Sequence, residues 1–149
     1  MQRSGYKFIN HTADVEFVSY GSSISELFSN AFLALFDTIS YLDKVSEAAV
    51  QDGRMRSFNI KDRADSAEEL AWLALQDALS IADANGISPL RASGLSAGEK
   101  NGKYTISLRM EGIVQRPEYR KFDVKGVSRY SLKITKSAGR YSMSVVLDV

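Results

Sequence analysis

The chain has no cysteine and a single histidine, His11, among its 149 residues. Without thiols there is no disulfide framework, no thiolate metal site and no cysteine nucleophile. One imidazole excludes any centre that needs two, the HExxH zinc motif included. No complete catalytic triad and no Gly-rich phosphate cradle can be read from the sequence. Long apolar runs are missing too: the longest, Ala31-Phe32-Leu33-Ala34-Leu35-Phe36, is far too short to span a bilayer. The N-terminus, Met1-Gln2-Arg3-Ser4-Gly5-Tyr6, lacks the apolar core of a signal peptide. These features fit a protein of the cytoplasm with no membrane partner. A hydrophobic content of 44% and a charged content of 25% are those of a globular domain, and the length suits one domain over 1–149.

Charge is distributed unevenly. Residues 1–99 carry 8 Lys and Arg against 14 Asp and Glu, hence −6; residues 100–149 carry 11 against 4, hence +7. The last third either presents a basic face to RNA or an acidic protein, or folds against the acidic helices and is neutralised there. Few aromatics are interleaved with its basic residues, so no stacking platform for single-stranded RNA is evident.

Local signals order the chain. Two alternating apolar stretches, Tyr6–Ile9 and Val15–Val18, predict strands around the polar run Asn10-His11-Thr12-Ala13-Asp14. Ser23 and Glu26 have capping-box spacing before a helix that runs through Leu27, Phe28, Phe32, Leu35 and Phe36 to Ile39. Asp37 falls near its C-terminal end, against the preference of the helix dipole, which marks it for a supporting role at a site, a basic partner or simple exposure. Residues 40–54 are predicted to be an exposed connection with a short helical turn at Val45–Val50, followed by a strand over 54–60. A second helix starts at Ser66, with Glu69 three residues on, and ends at Gly86. Glu68 and Glu69 are explained by the helix dipole.

Strands follow. Asn101-Gly102 predicts a hairpin leading into Tyr104, Ile106, Leu108 and Met110 on one face, and Gly112–Pro117 is predicted to be a loop. Phe122–Thr135 reads as one strand or two joined by an irregularity, with Gly126 marking a β-bulge. The final strand alternates Tyr141, Met143, Val145, Leu147 and Val149. The expected fold is a single α+β domain, with two amphipathic helices packed on a mainly antiparallel β-sheet.

Two readings of the polar run stand together. It can be a turn in which Asn, Thr and Asp bond their own backbone. Alternatively Asp14 is an oxygen ligand at the mouth of a strand. If the last strand pairs near it, Asp14, Asp148 and the terminal Val149 converge as an oxygen set suited to Ca²⁺ or Mg²⁺, with His11 bonding the turn.

The run His11-Thr12-Ala13-Asp14-Val15, the helix segment Ala31–Asp37, the stretch Val124-Lys125-Gly126-Val127 and the ending Val145-Val146-Leu147-Asp148-Val149 resemble the archease family, in the same order and nearly end to end. Archeases are non-catalytic accessory proteins of the tRNA-splicing RNA ligase, which joins 3′-phosphate or cyclic-phosphate RNA ends to 5′-hydroxyls using a metal and GTP. The resemblance implies an activator that promotes guanylylation of the ligase and its multiple turnover. It maps a metal site onto Asp14, Asp148 and Val149. Lys125 is a candidate contact for a nucleotide phosphate or an acidic partner. Tyr130 stands where the family often carries histidine. Two other functions were weighed: a general chaperone or interaction module using the basic strands, and a small metal-dependent phosphoester hydrolase built on Asp14 and Asp148.

Overall fold

The computed structural model describes residues 5–9 and 14–149. The strands are β1 (Tyr6–Ile9), β2 (Val15–Gly21), β3 (Arg56–Ala64), β4 (Ile87–Lys100), β5 (Lys103–Val114), β6 (Gly126–Val127), β7 (Lys133–Ser137) and β8 (Arg140–Asp148). The helices are α1 (Ile24–Ile39), α2 (Leu42–Asp52) and α3 (Ala67–Asn85). The α+β class holds. The strands, however, form two antiparallel sheets: β1-β2-β8 with β6 and β7 sharing the far edge of β8, and β3-β5-β4.

The capping signals act as read. Ser23 Oγ accepts from Glu26 N–H, and Ser66 Oγ from Glu69 N–H, both at 3.1 Å. The Glu26 carboxylate reaches back to Ser22 N–H at 2.9 Å, one residue before the expected partner. Asn101 and Gly102 take φ of 54° and 77°, the mirror-image turn that suits a two-residue hairpin.

Helix α1 is buried on most of its circumference, because it touches β2 and β8 of one sheet and β4 of the other. Leu27, Phe28, Phe32, Leu35 and Phe36 are each at most 1% exposed. Each contributes about 1.5–3 kcal/mol of burial. Ser25 Oγ donates to Ala97 O at 3.0 Å and accepts from Ala97 N–H at 2.9 Å, joining α1 to β4. On the other side, β2 approaches the start of α1 closely: a Cβ on Gly21 would lie 2.4 Å from Leu27 N.

Four expectations need correction. Residues 42–52 form a full helix, α2, because Leu42 and Val45 bury one stripe while the rest stays polar; three helices replace two. A second sheet replaces the single one, because β3 pairs with β5 and not with β8. The segment after Gly112 remains strand to Val114, held by β4 through Ser88 and Ile87. Gly126 lies in regular pairing with Asp148; the irregularity falls at residues 128–132, between β6 and β7.

Gly21→Ala should lower stability by about 1–3 kcal/mol through this overpacking. Urea unfolding measures it; an unchanged midpoint would show that α1 can slide away from β2.

Candidate metal centre

The pairing of β2 with β8 sets the site. Its register runs Val15↔Leu147, Glu16↔Val146, Phe17↔Val145. Phe17, Val145 and Leu147 face the core, fully buried. The register ends at Val15 and Leu147; continued by one step it would bring Asp14 opposite Asp148, and both are exposed. Gly126 pairs with Asp148 from the other side, and Asp148 C=O accepts from Lys125 N–H at 2.7 Å. Two carboxylates directly across an antiparallel pair repel one another. A hard cation bound between them would remove that repulsion, and the donors are oxygen only, as Ca²⁺ or Mg²⁺ prefers. Val149 is half-buried and packs on the core, which fixes the end of the strand. Among the described residues, no three His, Cys, Asp or Glu side chains stand together in a metal-holding group. The candidate carboxylates are therefore Asp14 and Asp148 alone. His11 lies outside the described residues.

Helix α3 closes the β6 edge beside this pair. Val127 N–H donates to Gln76 Oε1 at 3.0 Å, and Trp72 Nε1–H donates to Val127 O at 2.9 Å. These two side chains take the place of a neighbouring strand. A Cβ on Gly126 would sit 3.7 Å from Asp148 Oδ2 and 3.8 Å from Gln76 Oε1, ordinary contact, so alanine fits here. Arg129 stacks 4.7 Å over the Trp72 ring and lies 3.8 Å from Glu69. Sequence reading did not single out Gln76 beside Trp72. The i, i+4 spacing of these two residues on α3 was the available signal.

Asp37 is 8% exposed. Its carboxylate accepts from Tyr6 Oη at 2.8 Å and pairs with Lys121 Nζ at 3.0 Å. It thereby ties β1 and the segment 119–122 to the end of α1. That segment also caps the helix: Lys121 N–H meets Ile39 O at 2.9 Å, and Phe122 N–H meets Thr38 O at 3.2 Å. The chain then delivers Lys125, with an exposed side chain, and Gly126 to Asp148. Asp37 is thus linked through Lys121 to the segment that leads to Lys125.

The basic last third is partly neutralised by the acidic part. Lys103 pairs with Asp65, Lys121 with Asp37 and Arg129 with Glu69.

A second carboxylate pair lies elsewhere. Asp62 shares the inward face of β3 with Ile60 and Ala64 and meets Asp77 of α3. Among the described residues, no N–H or O–H donates to its buried Oδ2. Burial, and then the hydrogen bond and charge of Asp77, push the Asp62 carboxyl up from 3.8 to about 7. A proton on Asp62 supplies the missing hydrogen bond.

With three helices packed on two antiparallel sheets, and two carboxylates near where the first long strand meets the last, the chain is a small α+β domain with a candidate cation site at its strand ends. Residues 6–149 match the model of the archease protein family (MTH1598/TM1083), and the chain belongs to that family. It is 28% identical over 150 residues to the protein archease of Methanosarcina mazei, covering 99% of this chain and 98% of that one. The archease of Pyrococcus abyssi is 26% identical over 147 residues, covering 97% and 98%. Protein 1598 of Methanobacterium thermoautotrophicum shares the fold with a TM-score of 0.78 at 24% identity, over 97% of this chain and 99% of that one. The archease and possible chaperone TM1083 of Thermotoga maritima superposes with a TM-score of 0.55 at 16% identity, over 95% and 94%.

Because the folded Asp62 holds a proton that the unfolded chain releases, its contribution to stability is complete below pH 3.8 and is lost as pH rises through about 7. Asp62→Asn should flatten this dependence and unfold at higher urea than wild type at pH 8. Parallel pH profiles for the two proteins would remove the shared proton.

Proposed function

We propose that this chain is a metal-binding activator of the tRNA-splicing RNA ligase, working in the cytoplasm and not itself a catalyst. The observation that supports the reading is the β2–β8 register, whose last pair, Val15 and Leu147, adjoins Asp14 and Asp148 in a chain of the archease family. Asp14, Asp148 and a backbone oxygen of Val149 would hold one divalent cation, Ca²⁺ or Mg²⁺. When bound, the ion supplies charge neutralisation and a cross-link between the start of β2 and the end of β8. The residues themselves do the rest. Asp148 pairs with Gly126 of β6, and its neighbour Leu147 with Val15 of β2, which holds the end of β8 before any partner arrives. Lys125, exposed one residue before Gly126, offers a cation to a phosphate or an acidic patch of the ligase. In the family to which this chain belongs, that partnership promotes ligase guanylylation and repeated turnover.

Independent hydrolysis of phosphoesters is a weaker reading, since a single carboxylate pair offers one ion position and no second one. A general chaperone using the basic strands is weakened by the pairing of Lys103, Lys121 and Arg129 with acidic residues. The purified protein without ligase should turn over neither RNA nor phosphoesters; turnover there would favour the hydrolase.

Asp14→Asn and Asp148→Asn each keep volume and remove one charge. Each should weaken Ca²⁺ or Mg²⁺ binding in calorimetry by about tenfold or more, the scale of losing a ligand or its support. Each should also blunt ligase stimulation. Unchanged affinity in both variants would take the metal out of the reading. Lys125→Glu should lower ligase stimulation while leaving the urea midpoint within about 0.5 kcal/mol, as an exposed substitution does. Equal stimulation across a titration would show that Lys125 is only solvated.

A further inference from the structure

A groove of about 670 Å³ opens where the end of β5 leaves the sheet, on the flank of α2. Its floor is aliphatic, from Ala48, Ile113 and Val114, and Val114 is 60% exposed. Its rim carries Arg54, Arg56 and Arg116. Asp52 is the one carboxylate in the lining, 3.9 Å from Arg54; both side chains are largely exposed, so the pair is weak. Arg56 rests 5.4 Å over the Phe58 ring, which holds its guanidinium in place without neutralising it. The lining is thus cationic around an apolar floor.

The backbone adds a second feature. Strand β3 begins with Arg56 opposite Gly112, so β5 outruns it by Ile113 and Val114. On the other side those two residues pair with Ser88 and Ile87 of β4. Their β3-side edge has no strand partner among the described residues and faces the groove. An open edge accepts an extended segment through main-chain hydrogen bonds, with pockets selecting alternate side chains. Guanidinium groups in turn select carboxylates, which they can bind in pairs of parallel bonds. Single-stranded RNA fits less well: Tyr119 is the only ring lining the groove, and base stacking needs successive aromatic platforms.

We infer that this groove docks an extended acidic segment of the partner protein, with a small aliphatic side chain on Ala48 and Val114 and carboxylates against Arg54, Arg56 and Arg116. The inference rests on the proposed function, which supplies that partner: the RNA ligase. It adds a holding surface built from residues other than Asp14, Asp148 and Lys125. A tether here would keep the activator on the ligase whatever the state of the cation pair.

Binding to the intact ligase of the same organism tests it by interferometry, using wild type, Asp14→Asn and the triple variant Arg54→Glu/Arg56→Glu/Arg116→Glu. All three are first checked for native circular dichroism and melting temperature. The triple variant should bind about tenfold or more weakly, with the difference shrinking as salt rises, while Asp14→Asn keeps measurable binding. A photo-cross-linking amino acid placed at Val114 should attach to an acidic, extended stretch of the ligase, identified by mass spectrometry. Equal ligase binding by wild type and triple variant, or a cross-link to a helical or basic stretch, overturns the groove and leaves the proposed function standing. Absence of ligase binding by wild type overturns the proposed function and the groove with it. Loss of affinity for a twelve-nucleotide oligouridylate, with ligase binding intact, would make RNA the occupant and overturn the inference.

Discussion

The structure depends on the antiparallel pairing of β2 with β8. β8 is the last strand, and it carries β2 on one edge and both β6 and β7 on the other. Its inward residues, Met143, Val145 and Leu147, are completely buried. A slip of one residue would turn all three out to solvent, so the register is strongly fixed. Continued one step past Val15, the same register would bring Asp14 opposite Asp148. Core packing thus fixes the strand ends that carry the two carboxylates.

Helix α1 transmits this order to the rest of the molecule. Its N-terminal end is pressed against Gly21 of β2 and joined to β4 through Ser25 and Ala97. Its C-terminal end receives residues 119–122 and buries Asp37 between Tyr6 and Lys121. From there the chain reaches Lys125 and Gly126 with little freedom, since Val124 is buried and Lys125 N–H is bonded to Asp148. Removing Lys121 would take the cation from a largely buried carboxylate, which costs more than an exposed pair would. Anything that loosens the end of α1 therefore reaches the acidic pair through the backbone.

What the sequence made legible was local chemistry. Ser23 and Ser66 were readable as caps because each bonds a backbone N–H three residues away, and Asn101-Gly102 was readable because its turn demands positive φ. The alternation in β8 pointed to the correct face. Helix α2 escaped because only Leu42 and Val45 mark its buried stripe, and Tyr41 at its start makes no side-chain cap bond. The division into two sheets was out of reach because it depends on β3 pairing with β5, about fifty residues away in sequence. Gln76 and the Asp62–Asp77 pair were missed for a related reason: each acquires its meaning from an element brought up by tertiary packing. The parity of Asp62 with Ile60 and Ala64 did place it on the inward face, and a charged residue there was a sign that went unused.

Whether a divalent cation joins β2 to β8 is the point on which the account turns. Mn²⁺ titrated into isotopically labelled protein tests it most directly, because a paramagnetic ion broadens amide resonances according to their distance from it. The account predicts broadening centred on the amides of Asp14, Gly126, Asp148 and Val149, reversed by excess Ca²⁺ or Mg²⁺. Broadening centred on another acidic stretch, such as residues 65–69, or no localised broadening at all, would contradict it.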